Sequence, residues 1–417
     1  MIKKIFSCSI VFFTLMSTLT IAQSSSPYSR FGIGDIMHSY SSRSLGMGEL
    51  GTASTDGEFI SSINPAGWYK MGRTRIELSL KYFGTIVSDD NNKNYYGSME
   101  FNGLTFAFPV SSEYGMSVAG GMIPYSNVGY KTQQTVSSNL TTGDYNLEFE
   151  GSGGLTKIFL GSSYKLPFDA VLGASLDYYF GNLNYRSRID FLNSSNYDTE
   201  FNRKYNPSGY GSTIGIISPD FSGFLKSEEI SDFRLGLSLG LFSEMDVDTS
   251  LFSSSPLQND TLSINKVKMK IPLQTAIGLS FVMSKNYHVY VDYLMQSWSN
   301  FEFDSKKSEQ LQNSFILSAG MEYKPLKELG ATFWEQIIWR CGLSYEKTPY
   351  FVNSTSINQY AVSAGLSFPM SSANTIDLGF QYAMRGTTDS NLLKENLFRF
   401  NLGISFGELW FVRPENK

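Results

Sequence analysis

Ten segments of the chain alternate apolar residues with small or polar residues at a period of two. In residues 76–82 every second position is Ile, Leu or Tyr, and the positions between hold Glu, Ser and Lys. The other nine segments lie at 170–180, 233–241, 271–281, 287–293, 315–323, 337–345, 360–368, 376–382 and 398–406. Successive side chains of a β-strand point to opposite faces. So many segments predict a transmembrane β-barrel, whose apolar positions face lipid and whose other positions face the lumen.

The composition agrees with a membrane barrel and argues against several other classes of protein. Charged residues make up 17% of the chain, against roughly 25% in soluble domains, and aromatic residues make up 15%. So many aromatic residues argue against disorder. Beyond the N-terminus no run approaches the roughly 20 apolar residues of a spanning helix. The net charge of −5 argues against nucleic acid as a partner, and two His and two Cys leave little material for a zinc or redox centre.

The first 22 residues predict a secretory signal peptide, and hence an exported protein. A short basic start, Met1–Lys4, is followed by an apolar stretch at 5–21 and a small residue, Ala22. The alternative is a retained anchor helix, but the stretch is short and rich in Ser and Thr. After removal of the signal peptide Cys341 is the only thiol, so no intramolecular disulfide can form.

The connections between the alternating segments predict the number of strands. Outer-membrane barrels usually have short periplasmic turns and longer external loops. Thirteen strands are predicted near 75–88, 95–110, 113–131, 144–166, 169–192, 232–252, 262–283, 286–304, 311–324, 335–347, 358–370, 374–388 and 396–412. The strands at 169–192 and 232–252 would then run in the same direction, so an inward strand must lie between them, and 205–217 is the best candidate. The prediction is an all-β fold, a fourteen-stranded antiparallel transmembrane β-barrel at 75–412 with a short tail at 413–417.

Residues 23–74 do not share the alternation of the barrel. They are rich in Ser and Gly, and they hold too many apolar positions for a disordered tail. A barrel of this size would leak unless its lumen were filled. We therefore expect this segment to be an N-terminal plug, or hatch, inside the barrel; the alternative is a mobile periplasmic tail.

Several short motifs resemble the FadL family of outer-membrane transporters for hydrophobic compounds. The Gly-rich stretch Ser44–Ala53 and the string Asn64-Pro65-Ala66-Gly67 resemble the plug of that family. Weaker matches are Gly151–Leu155, Pro272 with Gly278, and Asp292-Tyr293 with Trp298. The resemblance spans essentially the whole mature chain. It implies a fourteen-stranded barrel with an N-terminal hatch, in agreement with the strand count.

The resemblance implies a function in the outer membrane of a Gram-negative bacterium. Residues 26–34 and 407–411 resemble the branch of the family found in Bacteroidota, which includes PorV-like relatives. Family members take up fatty acids or aromatic hydrocarbons, whereas the PorV-like branch shuttles secreted proteins in type IX secretion. The external loops here are short and polar, which favours a protein partner over a fatty acid. The expected function is a channel for passive uptake of small hydrophobic compounds. The alternative is a non-transporting accessory barrel that binds partner proteins in an outer-membrane assembly or a type IX secretion complex.

Motifs for catalysis or metal binding are weak throughout the chain. The string Gly-x-Ser-x-Gly occurs at 236–240 and 403–407, but a nucleophile elbow requires a sharp turn from strand to helix. Both copies lie inside predicted strands. The acidic loop Asp89–Asn92 lacks the ligand spacing of a calcium site. We therefore expect no enzyme activity, no cofactor and no metal. The expected partners are outer-membrane lipid, a hydrophobic small molecule and other envelope proteins.

Asn64, Pro65 and Ala66 are predicted to form the junction between the plug and the first strand. An Asn side chain can accept a hydrogen bond from its own backbone in a tight turn. Pro sets φ and disfavours helix at the residue before it. The expected role of the three residues is structural, and it becomes functional only if the plug moves.

Gly120, Gly121 and Pro124 interrupt the predicted third strand. Pro cannot donate a ladder hydrogen bond, and a closed barrel has no free edge to accommodate it. One interpretation is a bulge or an early end of the strand. The other, which the family resemblance implies, is an inward kink that opens a lateral gap through which an apolar ligand passes into the membrane. The second interpretation requires missing strand pairing around 120–124.

Overall fold

The computed structural model describes residues 26–49, 51–137, 144–192, 197–257, 259–325, 331–371 and 373–409. Neighbouring wall strands pair antiparallel, and the first wall strand also pairs with the last, from Thr74 with Glu408 to Ser88 with Lys394. The wall is therefore closed into a barrel. The predicted signal peptide, 1–22, and the predicted tail, 413–417, lie outside the described residues.

Within the described ranges the wall contains fourteen strands, which confirms the predicted fold. They are β1 (Thr74–Ser88), β2 (Lys93–Ser111), β3 (Met116–Pro124 and Ser126–Val136), β4 (Tyr145–Lys165), β5 (Val171–Phe191), β6 (Thr199–Ile217), β7 (Ile230–Phe242 and Met245–Ser254), β8 (Asn259–Lys270 and Gln274–Met283), β9 (Tyr287–Gln296), β10 (Ser314–Tyr323), β11 (Ile338–Val352), β12 (Thr355–Pro369), β13 (Thr375–Arg385) and β14 (Lys394–Glu408). The inward strand required by parity is β6.

The remaining elements are short. Two-residue strands lie at Asp35–Ile36, Glu302–Phe303 and Lys306–Lys307, and the α-helices are α1 (Ser42–Gly46) and α2 (Ser222–Leu225). Short 3-10 helices lie at Pro27–Arg30, Pro65–Lys70, Trp298–Asn300, Trp334–Gln336 and Asp389–Asn391. Among the described residues, every helix is too short or too polar to cross a bilayer.

The alternating apolar positions lie on the outer surface of the wall. Phe380 is 46% exposed, and Leu237 and Leu279 are half-buried on the same surface. Their neighbour Ser280 points inward, because its hydroxyl donates to the carbonyl oxygen of Ala53, at 2.9 Å, in the segment that precedes the wall. The prediction that the apolar parity faces outward is confirmed at these positions.

An arginine at any of these three positions should destabilise the barrel. We expect Leu237→Arg, Leu279→Arg and Phe380→Arg each to lower the free energy of unfolding by about 2–4 kcal/mol at mid-bilayer depth. Urea unfolding in lipid vesicles measures the change. The control is Ser250→Arg, on the external part of the strand that holds Leu237, where the cost should be small. Equal costs at positions 237 and 250 would contradict the assignment of the lipid-facing belt.

Candidate functional site

The N-terminal segment, residues 26–73, contacts the inward side of the wall. Five inward-facing glycines lie so close to its backbone that a Cβ at any of them would collide with a backbone atom of residues 42–66. We call them the glycine belt: Gly173 on β5, Gly236 on β7, Gly320 on β10, Gly342 on β11 and Gly379 on β13. The segment therefore lies in the lumen, with its backbone against strands around most of the barrel.

A buried cluster of charges joins helix α1 to the wall. The guanidinium of Arg43 lies 2.6 Å from Glu322 on β10 and 2.7 Å from Asp56. Arg340 also donates to Glu322, at 2.8 Å, and Lys324 lies 3.0 Å from Asp56. Burial alone would raise the pKa of Asp56, but Arg43 and Lys324 hold it well below its usual value. Buried charges are tolerated only when paired in this way.

A second buried cluster holds the start of the segment near the external end. Arg385 on β13 donates to Asp35, at 2.9 Å, and Tyr350 on β11 donates to the same carboxylate, at 2.7 Å. The hydroxyl of Ser26 donates to the buried carboxylate of Glu395 on β14, at 2.8 Å. The two clusters connect both halves of the segment to strands on one side of the barrel.

The cavities in the lumen differ in size and polarity. The cavity beside Arg43, Glu322 and Arg340 has a volume of only about 40 Å³ and is lined largely by charged and hydroxyl groups. A larger cavity of about 440 Å³ lies between the segment and the external parts of β5 to β8. Most of its lining is apolar or aromatic: Ile33, Leu183, Tyr185, Phe201, Tyr205, Leu251, Met269, Phe301 and Phe303, with Arg203 as the charged group. Such a lining suits a small hydrophobic molecule.

Strand β3 separates from β2 partway up the wall. The pairing of the two strands ends at Leu104 and Met122. On its other side β3 stays paired with β4 through Pro124 and again from Val128 to Val136. Residues 93–101 of β2 pair with β1 alone among the described residues. The wall therefore has a lateral gap, defined here as the space between residues 93–103 of β2 and the second half of β3.

The residues predicted to form this gap lie at its edge. Gly120 and Gly121 are paired on both sides, with Phe106 and Thr105 of β2 and with Leu160 and Phe159 of β4. The prediction therefore needs a correction, because the pairing with β2 is lost after Met122 rather than around the two glycines. The glycines permit close approach of the strands, since a Cβ on Gly121 would lie 2.5 Å from the carbonyl oxygen of Leu104.

The kink requires residues on both strands. Pro124 lacks an N–H and lies where β3 has left β2, paired only with Thr156 of β4. Opposite the kink, Gly153 and Gly154 of β4 have φ angles of 111° and 154°, which side chains rarely adopt. The motif Gly151–Leu155, noticed in the sequence only as a family resemblance, therefore holds the partner residues of the kink.

The edge that β3 exposes at the gap is covered from inside the barrel. Asp35 and Ile36 pair antiparallel with Asn127 and Ser126. The amide of Met37 also donates to the carbonyl oxygen of Tyr125, at 2.9 Å. An unpaired strand edge leaves backbone groups without partners and invites unwanted association. Residues 35–37 supply those partners, so they stabilise β3 in its inward position.

Side chains cross the gap where backbone pairing is missing. Glu100 of β2 accepts hydrogen bonds from the side-chain amide of Asn127 of β3, at 3.1 and 3.2 Å. Its carboxylate also lies 3.1 Å from the ammonium of Lys81, which is buried on β1. Glu100 therefore connects the two sides of the gap, and no sequence motif pointed to it.

The Asn64-Pro65-Ala66 motif lies at a distance from the gap residues, against β6 and β7. The side chain of Asn64 accepts from the amide of Ala66, at 3.0 Å, and donates to the carbonyl oxygen of Thr52, at 2.7 Å. Pro65 is the first residue of a 3-10 turn, and Asn64 is fully buried. A Cβ on Gly215 of β6 would collide with this side chain.

We expect Asn64→Ala to cost about 1–3 kcal/mol of stability, because it leaves a buried amide and a buried carbonyl without partners. Urea unfolding in lipid vesicles measures the loss. Asn64→Ser should restore part of it, since Ser also accepts hydrogen bonds at helix N-termini. An Ala variant as stable as the native protein would show that the turn does not depend on this side chain.

The described residues offer little for catalysis. The two Gly-x-Ser-x-Gly strings lie inside the regular strands β7 and β14, and neither forms a turn into a helix. Within the part of the chain that the structure describes, no group of three or more His, Cys, Asp or Glu side chains is arranged to hold a metal.

A closed barrel with an apolar outer wall and a lumen that contains its own N-terminal segment is also the fold of solved hydrocarbon channels and transporters. The CymD monoaromatic hydrocarbon channel has a TM-score of 0.60 and 15% identity, over 90% of this chain and 99% of that chain. The Pseudomonas putida toluene transporter TodX has a TM-score of 0.60 and 15% identity, over 90% and 100%. The sequence model of the BamG family matches residues 1–415, so the chain belongs to the BamG family.

These similarities confirm one part of the sequence-based interpretation. A FadL homologue from Pseudomonas aeruginosa has a TM-score of 0.59 and 11% identity, over 88% of this chain and 97% of that chain. The resemblance to FadL-type proteins is thus confirmed as a likeness of fold, while the family that matches the sequence is BamG. The matched structures are channels rather than enzymes. No match was found among curated proteins. The placement in a Bacteroidota branch with PorV-like relatives stays a prediction.

Proposed function

We propose that the protein lies in the outer membrane of a Gram-negative bacterium and takes up small hydrophobic compounds passively. The observation that carries this proposal is the apolar cavity of about 440 Å³ between the N-terminal segment and β5 to β8. Its position at the external end makes it the first binding site for a molecule that arrives from outside. Its aromatic lining favours aromatic or short aliphatic compounds. The small volume argues against a fully enclosed long-chain fatty acid.

The N-terminal segment acts in this proposal as a plug with a fixed part and a movable part. Residues 42–66 lie against the glycine belt, and Arg43 forms buried ion pairs, so this part stays in place. Residues 26–37 contact both the cavity and the lateral gap. Gly32 and Ile33 line the cavity, and Asp35 and Ile36 cover the edge of β3 at the gap. A shift of residues 26–37 would join the cavity to the lateral gap.

The route out of the barrel is the lateral gap. A molecule that leaves through the lower part of the gap, beside the outward-facing Met99 and Phe101 of β2, enters the hydrocarbon of the bilayer and avoids the aqueous periplasm. The gap is closed in the structure by the Glu100–Asn127 contact and by the covering strand Asp35–Ile36. Uptake in this proposal therefore needs both contacts to open.

The proposed binding site can be tested by filling the cavity. Ser187 of β5 lines the cavity, and we expect Ser187→Phe to weaken saturable binding of the fluorescent probe N-phenyl-1-naphthylamine by about tenfold or more. Asn184→Phe, three residues earlier and on the outer face of the same strand, is the matched control. Equal probe binding by both variants and the native protein would show that the cavity is not the binding site.

The proposed exit can be tested separately by linking the two sides of the gap. The variant Glu100→Cys with Asn127→Cys, made in a Cys341→Ser background, is joined by a short bifunctional maleimide. We expect the link to stop uptake of an aromatic hydrocarbon by cells and to leave probe binding unchanged. Unchanged uptake after complete cross-linking would contradict lateral exit, while probe binding would still report on the cavity.

A second function, an accessory barrel that binds envelope proteins, is favoured by two observations. The fixed part of the segment leaves only about 40 Å³ of space beside the Arg43 cluster. At the periplasmic end the turn between β6 and β7 presents helix α2 with Phe224, which is 82% exposed. Purification in mild detergent separates the two functions. Stable co-purification of envelope proteins together with no saturable probe binding would favour the accessory barrel.

A further inference from the structure

Six neighbouring strands extend well beyond the ends of the short strands β9 and β10. The pairing of β8 with β9 stops at Gln274 and Gln296, and β9 and β10 have only 10 residues each. The extension, which we call the external sheet, consists of 126–136 of β3, 145–153 of β4, 183–191 of β5, 199–207 of β6, 245–254 of β7 and 259–270 of β8. It stands on the side of the longer loops, which is the external side in outer-membrane barrels.

The outer face of the external sheet is charged, unlike the apolar belt below it. Charges of opposite sign lie on neighbouring strands and form ion pairs: Lys131 of β3 with Glu148 of β4 at 2.6 Å, Arg186 of β5 with Glu150 of β4 at 3.5 Å and with Glu200 of β6 at 3.1 Å, Asp246 of β7 with Lys268 of β8 at 2.6 Å, and Asp248 with Lys266 at 3.4 Å. Cross-strand pairs of opposite charge stabilise a sheet, and like charges destabilise it. The last strand of the external sheet, β8, carries the positive charges Lys266 and Lys268.

The outer edge of β8 is unpaired over most of its external part. Only Met269 and Lys270 pair on that side, with Phe303 and Glu302, and the carbonyl oxygen of Lys268 accepts from Asp304. From Thr261 to Val267 no described residue pairs with this edge. Seven residues at about 3.3 Å each give an edge of about 23 Å. An edge of this kind is a template for an added strand.

The side chains along this edge define what an added strand would need. Leu262 and Ile264 are 51% and 73% exposed, far from the lipid-facing belt. Lysines on an edge usually discourage pairing. Here Lys266 and Lys268 are already neutralised on one side by β7, and the stretch with Leu262 and Ile264 carries no basic residue.

We propose that the edge Thr261–Val267 binds an extended segment of another envelope protein as an added β-strand. The segment would place acidic residues opposite Lys266 and Lys268, which gives these lysines acidic partners on both sides, and apolar residues opposite Leu262 and Ile264. A second copy of this chain fits less well, because the opposite edge of the external sheet presents Lys131, a like charge. This proposal is independent of hydrophobic uptake.

The first experiment uses the full-length protein in nanodiscs and synthetic nine-residue peptides. We expect a peptide with Glu at two alternate positions and Val at two others to bind at least about tenfold more tightly than the same peptide with Lys for Glu. The variant Lys266→Glu with Lys268→Glu should reverse the preference. Equal binding of the two peptides by the native protein, or no binding, would overturn the proposal even if the variant fails to fold.

Two further measurements separate strand addition from simple charge attraction. The Glu peptide with N-methylated backbone amides keeps its charge but cannot pair, so it should not bind. Binding of the unmodified peptide should slow hydrogen exchange of the amides at 261–267. Equal binding of the methylated peptide, or unchanged exchange at these amides, would overturn the proposal.

A photo-crosslinking residue in place of Ile264 tests the partner in cells. Mass spectrometry identifies the linked segment, and we expect acidic residues at alternate positions in a segment of a different protein. A link to a segment without them, to a second copy of this chain, or to no protein at all would contradict the proposed partner.

Discussion

Replacing Arg43 by Met should lower the free energy of unfolding by about 3–5 kcal/mol. The substitution leaves Glu322 and Asp56 without their shortest ion pairs, at 2.6 and 2.7 Å, while Glu322 remains 99% buried. Arg340 and Lys324 still pair with the two carboxylates, but the buried cluster loses one positive charge that water cannot replace. Met has a similar length, so the change removes charge with little loss of volume.

Urea unfolding in lipid vesicles measures this effect, with a second Arg→Met variant as control. Arg188 forms ion pairs with Asp190 and Asp198 on the surface, where its side chain is 45% exposed, so Arg188→Met should cost at most about 1 kcal/mol. Arg43→Lys should recover part of the loss, since it keeps the charge without the forked geometry. A loss below about 1 kcal/mol for Arg43→Met would show that the cluster is wetter than the structure indicates.

The second large effect concerns the seal of the lumen. We expect Gly236→Ala to displace the N-terminal segment and to raise ion conductance in planar bilayers, while the barrel stays folded. The added Cβ would lie 2.6 Å from the carbonyl oxygen of Thr52 and 2.8 Å from the Cα of Ala53, and neither backbone atom can rotate away. Because the three nearest atoms all belong to the segment and none to the wall, the strain falls on the segment.

A matched control lies four residues further along the same face of the same strand. A Cβ on Gly240 would meet its nearest atom, in Gln274, at 3.4 Å, which is an ordinary contact, so Gly240→Ala should leave conductance unchanged. Deletion of residues 27–70 is the limiting case and should raise permeability to small solutes further. Unchanged conductance in both the deletion and Gly236→Ala would contradict the role of the segment as a plug.

The wall of the barrel could be predicted from the sequence because its signal is local. Each strand that faces lipid carries its own period of two, as in residues 233–241, and the direction of the strands requires an even number. The prediction was wrong where a strand does not face lipid along its whole length and so lacks the alternation. The strand β6 begins at Thr199 rather than at 205, because its external end stands in water on the outer face and needs no apolar alternation.

The break in β3 could be predicted only in part. Pro124 indicated that pairing must fail somewhere near it, since the residue lacks an N–H. The place of the break depends on Gly153 and Gly154 of the neighbouring strand and on the pairing of Asp35 with Asn127. These partners are distant in sequence, and no motif connects them with Pro124.

The sequence by itself determined the fold class, the strand order and the side of each strand that faces lipid, because hydrophobic alternation acts over a few residues. The tertiary structure alone decided what lies in the lumen. Arg43 meets Glu322 across 279 positions of sequence, and Asn64 lies against Gly215, only because closure of the barrel brings their strands to the segment. Burial then makes each of these contacts strong, since charges and amides removed from water must find their partners within the protein.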